Sequence, residues 1–189
     1  MNNPYLRDIT ERMELVGKKA SSTFGFLSEA QLNWRDSMES WSIAQYLFYI
    51  MEVNKAYLPT LYQLNLGTRK SKKREMLPIL PDLWGTVLKR MLKADPKGQP
   101  KPIEGLNPPY HDMPIELVEE FKEHQESLIS LFLDLDKEDH DAVVITSPVK
   151  SYVTYPVKDI IKAICLQEER HLKLAIQVLE HPAFPRTRV

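Results

Sequence analysis

Two polar residues near the C-terminus have the types and spacing to act together chemically. Gln167 and His171 lie four residues apart in a segment whose apolar residues alternate steps of three and four. A helix with that pattern places both side chains on its interior face, about 6 Å apart along the axis. Because a buried polar group without a partner costs about 1–3 kcal/mol, the sequence predicts that something polar faces this pair.

The segment that carries this pair is predicted to be the fourth helix of the chain. Thr154 is expected to cap its N-terminus, Pro156 falls in the first turn, and the helix should end near Glu180, before Pro182. The predicted interior seam of this helix is Val157, Ile160, Ile164, Gln167, His171, Leu174 and Val178.

A capping box marks the start of the second helix. Ser42 can accept a hydrogen bond from the backbone N–H of Gln45, whose side chain reaches back, while Trp41 and Tyr46 form the hydrophobic staple. Pro59 falls inside the helical pattern and is expected to kink or shorten it. The stripe of this helix is Ile43, Leu47, Ile50, Met51, Asn54, Leu58 and Leu61.

Two more helices complete the prediction. The first ends before Gly25, and its apolar stripe is Leu6, Ile9, Met13, Val16 and Ala20. The third opens at Pro114, and its stripe is Ile115, Val118, Phe121, Gln125, Leu128, Phe132 and Leu135. Between the first and second helices, Ser28 and Gln31 form another capping box, which predicts a short helical turn.

Residues 67–112 are predicted to form a long irregular connection between the second and third helices. This connection contains a basic run from Arg69 to Arg74, a predicted short helix from Pro81 to Ala94, and a proline-rich loop. The basic run lacks interleaved aromatic residues, so we interpret it as a solvated loop. Further on, residues 143–145 are expected either to form a short strand or to anchor a loop in the core, and the anchor is favoured.

Composition and charge limit the classes of protein that this chain can represent. The 189 residues, 43% of them hydrophobic and 27% charged, predict one globular domain spanning residues 1–189. A net charge of -1 gives no general attraction to nucleic acid, and no apolar run reaches the length of a membrane span. Cys165 is the only cysteine and no secretory signal precedes Arg7, so we expect a cytoplasmic protein without disulfides or CxxC-type metal sites.

Three short motifs occur together in this chain: Leu32-Asn33-Trp34-Arg35, Trp41-Ser42-Ile43-Ala44-Gln45 and Glu168-Glu169-Arg170-His171. With them the chain resembles the DinB/YfiT-like superfamily over most of residues 5–180. The resemblance implies an all-α four-helix bundle, commonly a homodimer, in which many members hold a divalent metal with three histidines. The positions that match those histidines, called the triad positions below, are Tyr49, Gln167 and His171, so only His171 keeps the imidazole.

The triad positions predict a degenerate metal site. Three imidazoles suit zinc or nickel, whereas a glutamine carbonyl is a poor ligand and a tyrosine must first lose a proton of pKa near 10. Our leading hypothesis is therefore a small-molecule-binding or non-catalytic DinB-like protein without a cofactor. The alternative is a metal-dependent enzyme that resembles the family's thiol-dependent S-transferases of the bacillithiol or mycothiol type.

His171 itself allows three interpretations. The favoured one is a neutral interior histidine hydrogen-bonded to Tyr49 and Gln167. The second is a metal ligand helped by substitutes such as Tyr49, Gln167, Glu168 or a loop residue, and the third is a catalytic base without metal. Asp36 and Ser147 also depart from the family pattern, while Glu168 and Arg170 are interpreted as a surface or interhelix ion pair.

The remaining candidate residues are interpreted as structural. Cys165, on the fourth helix, is expected to be a small buried apolar residue rather than a nucleophile. The aromatic residues around the second helix are expected to belong to the core rather than to a ligand cage. The histidines expected at the surface are His111, His124, His140 and His181.

Overall fold

The computed structural model describes residues 1–76, 102–148 and 151–186. Within these ranges the chain is mostly helical, as expected, and we number its helices in chain order. They are α1 (Tyr5–Phe24), α2 (Glu29–Asn33), α3 (Ile43–Asn65), α4 (Leu117–Asp134) and α5 (Val157–Glu180). Two short 3₁₀ turns (Lys73–Met76 and Leu135–Lys137) and two strands (β1, Val144–Thr146; β2, Thr154–Pro156) complete the described elements.

The four long helices form a bundle in which α1 and α3 each pack against both α4 and α5. The predicted all-α four-helix-bundle class is therefore confirmed, and the connection between α3 and α4 is long. Residues 102–116 of that connection are irregular, as the prolines predicted. The predicted helix from Pro81 to Ala94 lies outside the described residues. None of the helices in the described ranges is long and apolar enough to cross a membrane.

Local sequence signals position α2 and α3 as predicted. Both capping boxes form: the Ser28 side chain accepts from the Gln31 backbone, the Ser42 side chain accepts from the Gln45 backbone, and both glutamines reach back. Pro59 does not end α3, which continues to Asn65. The start of α3 is thereby fixed, and with it the direction in which Tyr49 leaves the helix.

The entry to α5 differs from the sequence prediction. Thr154 does not cap the helix but pairs with Thr146 in a two-stranded antiparallel ladder, and Pro156 is the residue before the first helical turn. Residues 144–146 therefore form a strand rather than a loop anchor, with Ile145 fully buried opposite Tyr155. The three-residue strands were hard to predict because their hydrogen bonds come from each other and from distant residues such as Glu75, which the local sequence does not reveal.

The hydrophobic core consists of two clusters at opposite ends of the bundle. One surrounds Tyr49, Phe121 and Leu172, and the other surrounds Leu61, Leu128 and Ile164. One prediction at the edge of this core was wrong: Ile115 precedes α4 and is 40% exposed.

Candidate functional site

The rings of Tyr49 and His171 face each other inside the bundle. Their centroids are 5.0 Å apart, and both side chains are buried, with exposed fractions of 4% each. Trp41 packs against Tyr49 with a centroid separation of 5.0 Å, and Tyr46 lies 6.3 Å from the His171 ring. The first turns of α3 and the middle of α5 thus bring two of the triad positions into direct contact.

A backbone carbonyl fixes the tautomer of His171. Its Nδ1 lies 2.7 Å from the carbonyl oxygen of Gln167, and because that oxygen can only accept, Nδ1 carries the ring proton. Nε2 then presents a lone pair, and it has no hydrogen-bond partner among the described residues. Burial lowers the pKa of His171 to about 4, so the ring is neutral at physiological pH.

The hydrogen bonds that we predicted around His171 are different in the structure. The Tyr49 hydroxyl accepts from the backbone N–H of Ile103 at 3.2 Å instead of bonding to the imidazole. Gln167 contributes its backbone oxygen, while its buried side-chain Nε2 and Oε1 find no partner in the described part of the chain. The prediction of a side-chain network joining Tyr49, Gln167 and His171 was therefore wrong. Burial also raises the pKa of Tyr49, which opposes loss of its phenolic proton.

Between the two hydrophobic clusters lies a buried polar layer formed by Asn54, Gln125 and Glu168. The Glu168 Oε1 atom accepts hydrogen bonds from Asn54 Nδ2 at 2.6 Å and from Gln125 Nε2 at 3.1 Å. Asn54 and Glu168 are fully buried, and Gln125 is 2% exposed. Helices α3, α4 and α5 each supply one residue, so the layer joins three of the four bundle helices.

The interpretation of Glu168 as part of a surface or interhelix ion pair with Arg170 was wrong for Glu168. Its carboxyl group is fully buried and its hydrogen bonds come from two neutral amides. Burial raises the pKa of Glu168 to about 8, although the amide hydrogen bonds oppose part of that rise. The signal that could have revealed this layer was present in the sequence, because Asn54 and Gln125 interrupt otherwise apolar stripes and require a polar partner.

Two of the histidines that we expected at the surface are not there. His140 is fully buried: its Nδ1 accepts from the Tyr5 hydroxyl at 2.6 Å and its Nε2 donates to the Leu135 carbonyl at 2.7 Å. His124 is partly buried, and its Nε2 lies 3.3 Å from Asn54 Nδ2, which links it to the polar layer. Burial lowers the pKa of both rings, that of His124 to about 4.

The other predicted features gave mixed results. Cys165 is fully buried, as predicted, and burial raises the pKa of its thiol to about 12, which makes a thiolate nucleophile unfavourable. His111 is exposed and the His181 side chain is 41% exposed, as expected. In the basic run, however, Arg69 is not solvated: its side chain is 9% exposed and forms an ion pair with Glu75 at 2.5 Å.

The donor set at the triad positions does not fit a three-imidazole metal site. Only His171 offers a nitrogen lone pair, while the Tyr49 phenol keeps its proton and Gln167 offers an amide. Across the described residues, no group of three or more histidine, cysteine, aspartate or glutamate side chains is arranged to hold a metal ion. The side chains at the triad positions can therefore form hydrogen bonds with a neutral partner that is shielded from water.

The structure is a helical bundle with polar residues at interior positions of α3 and α5. Sequence comparison identifies a family with this kind of fold. A family model described as the DinB superfamily matches residues 12–175, which is most of the chain. This protein therefore belongs to the DinB superfamily, as its motifs predicted. Neither a curated protein nor a solved structure matches the sequence.

Proposed function

We propose that this protein is a small-molecule-binding, non-catalytic member of the DinB superfamily that has lost the three-histidine metal site. The observation that carries the proposal is the state of His171, whose Nε2 is buried and unpartnered among the described residues while Nδ1 is occupied. A buried lone pair without a donor costs free energy, and a bound ligand with an N–H or O–H group would recover it.

The residues next to His171 support a polar ligand rather than an apolar one. The side-chain amide of Gln167, 6% exposed, has both a donor and an acceptor without partners in the described ranges. The Tyr49 hydroxyl accepts one hydrogen bond from Ile103 and keeps its own proton to donate. Together the triad positions offer two donors and two acceptors, so the preferred ligand is a small neutral molecule that both donates and accepts.

A second candidate function is supported by one observation. Metal-binding histidines commonly donate their second ring N–H to a backbone carbonyl, and His171 does so to Gln167. A zinc or nickel ion at His171 would make the protein an enzyme similar to the family's thiol-dependent transferases, in which the metal stabilises a thiolate. The other two triad positions argue against this candidate, because neither supplies a ligand that such metals prefer.

One variant with a matched control tests the proposal. His171→Asn keeps a donor for the Gln167 carbonyl and removes the Nε2 lone pair, while His111→Asn makes the same change at an exposed histidine. In a thermal-shift screen of small polar metabolites, we expect compounds that stabilise wild type and His111→Asn but not His171→Asn. Protein purified without chelator should contain no stoichiometric metal by elemental analysis.

Two results would overturn the proposal in different ways. Stoichiometric zinc or nickel that is lost in His171→Asn would support the thiol-transferase candidate instead. Ligands that stabilise all three proteins equally would show that binding does not involve His171.

We also propose that residues 1–189 form a single domain that acts in the cytoplasm as a homodimer. The single domain follows from the chain length, the location from the lone, buried Cys165, and the dimer from the family resemblance. Light scattering at micromolar concentration should give twice the 22.0 kDa chain mass. A monomer mass would contradict the dimer and leave the binding proposal unaffected.

A further inference from the structure

We propose that a separate open cavity, lined in part by Trp34, Trp41, Tyr46 and the carboxylate of Asp36, binds a small organic cation with a methylated ammonium group. The cavity has a volume of about 220 Å³ and lies between the loop before α3 and the last turns of α5. None of the triad positions lines it, so the inference goes beyond the proposed function at His171.

The walls of this cavity are aromatic rings held in place by other rings. Trp41 contacts Tyr46 edge to face, with centroids 5.2 Å apart and planes inclined by 60°. Trp34 makes a T-shaped contact with Phe184 at 5.5 Å. Rings fixed in this way lose little further side-chain entropy on binding, and aromatic side chains are what quaternary ammonium groups bind.

The charges around the cavity favour a cation over an anion. Asp36 supplies a carboxylate that is 44% exposed, and the described lining contains no lysine or arginine. The imidazole of His181 lies 3.8 Å from the Asp36 carboxylate and packs on Trp34 with a centroid separation of 5.4 Å.

The two helix ends next to the cavity carry dipole charges of opposite sign. Gln177 and Val178 belong to the last turn of α5, where the dipole is negative and favours a cation. Tyr46 belongs to the first turn of α3, whose positive end opposes one, but the capping box of Ser42 and Gln45 already occupies two donors there. With the two dipoles opposed, Asp36 and the aromatic rings decide the preference.

The size of the cavity limits the ligand. Sites for drug-sized molecules measure roughly 300–1,000 Å³, so a cavity of about 220 Å³ fits a smaller group. A trimethylammonium head with a short polar tail satisfies this limit, and it needs no hydrogen-bond partner for its positive charge.

A pair of probes that differ only in charge tests the inference on the full-length protein. Choline and its neutral carbon analogue 3,3-dimethylbutan-1-ol have the same shape, and both are titrated by calorimetry and by tryptophan fluorescence. We expect choline to quench fluorescence and to bind at least about tenfold more tightly than the neutral analogue. Asp36→Asn should weaken choline binding about five- to tenfold, because it removes the carboxylate and keeps its size.

Two further variants complete the design. Trp34→Leu should also weaken choline binding, since it removes a partly exposed wall of the cavity. Glu39→Gln is the matched control for Asp36→Asn, because it neutralises an exposed carboxylate of the same loop that does not line the cavity.

The outcomes separate this inference from the proposed function. Equal affinities for choline and its neutral analogue, or no choline binding at millimolar concentration, would overturn the cation site. Equal weakening by Asp36→Asn and Glu39→Gln would overturn it as well, because general electrostatics would then explain the binding. None of these results bears on ligands that depend on His171, and loss of those ligands would leave the choline result standing.

Discussion

Glu168 on α5 accepts a hydrogen bond of 2.6 Å from Asn54 on α3 at a depth where both side chains are fully buried. An ionised carboxylate at that depth would need a cation, and its hydrogen bonds come instead from the neutral amides of Asn54 and Gln125. The raised pKa of Glu168 is therefore a direct consequence of how three helices meet.

The first prediction is that Glu168 makes the protein less stable as pH rises. Its pKa changes from about 4.5 in the unfolded chain to about 8 in the folded one. Between these values Glu168 binds one more proton in the folded state, so its contribution to the free energy of unfolding decreases with rising pH, by about 5 kcal/mol in total. Below pH 4.5 the contribution of Glu168 to the free energy of unfolding is fully present, and above pH 8 it is lost.

Urea unfolding of two glutamate variants measures this contribution. Glu168→Gln stays neutral at every pH, so its unfolding free energy should lose the decline between pH 6.5 and 8, where the histidines no longer titrate, and exceed that of wild type at pH 9. Glu126→Gln, an exposed change on α4, should retain the wild-type slope. A wild-type slope in Glu168→Gln would mean that the carboxyl group is already charged at neutral pH.

The second prediction concerns the loss of stability at acidic pH. Burial lowers the pKa of His171 and of His124 to about 4, below the ordinary value of 6.5. Between pH 6.5 and 4 the unfolded chain therefore binds up to two more protons on these rings, against the single extra proton that Glu168 binds in the folded state, so stability should fall as pH decreases through that window. His171→Asn should reduce this acid loss, whereas His111→Asn at an exposed site should not. Identical acid slopes in all three proteins would show that His171 is not held neutral by burial.

The third prediction concerns the ion pair of Arg69 and Glu75. The Glu75 side chain is 2% exposed, and its Oε1 accepts hydrogen bonds from both the backbone N–H and the hydroxyl of Thr146. Glu75→Ala leaves a nearly buried guanidinium without its carboxylate, so we expect a loss of roughly 3–5 kcal/mol in unfolding free energy. Lys70→Ala, an exposed change in the same basic run, should cost less than about 0.5 kcal/mol. Similar losses in both variants would contradict the buried pair.

The sequence predicted the features of this fold that depend on near neighbours. Ser42 and Gln45 are three residues apart, so their capping box could be recognised directly, and the helix it starts was placed correctly. The burial of Glu168 was missed because its partners lie on two other helices, and a glutamate on a helix flank is usually exposed. His140 was missed for the same reason, since its partner Tyr5 lies 135 residues away in the sequence.

The fourth prediction is that two substitutions will restore metal binding. If Tyr49, Gln167 and His171 occupy the positions of the family's three histidines, the fold should still hold them in the right arrangement. Tyr49→His combined with Gln167→His should then bind about one zinc ion per chain and raise the melting temperature in the presence of zinc. The ring centroids of Tyr49 and His171 are 5.0 Å apart, so imidazoles at these two positions are close enough to bind the same zinc ion.

The control for this experiment uses the same substitution at a position that faces elsewhere. Tyr62→His, combined with Gln167→His, places its new imidazole at an exposed position near the end of α3 and should bind no stoichiometric zinc. Adding His171→Asn to the restored variant should abolish binding, since it removes the one imidazole that the natural protein retains. A restored variant that remains free of zinc would mean that the three positions do not converge, and the interpretation of a degenerate metal site would fail with it.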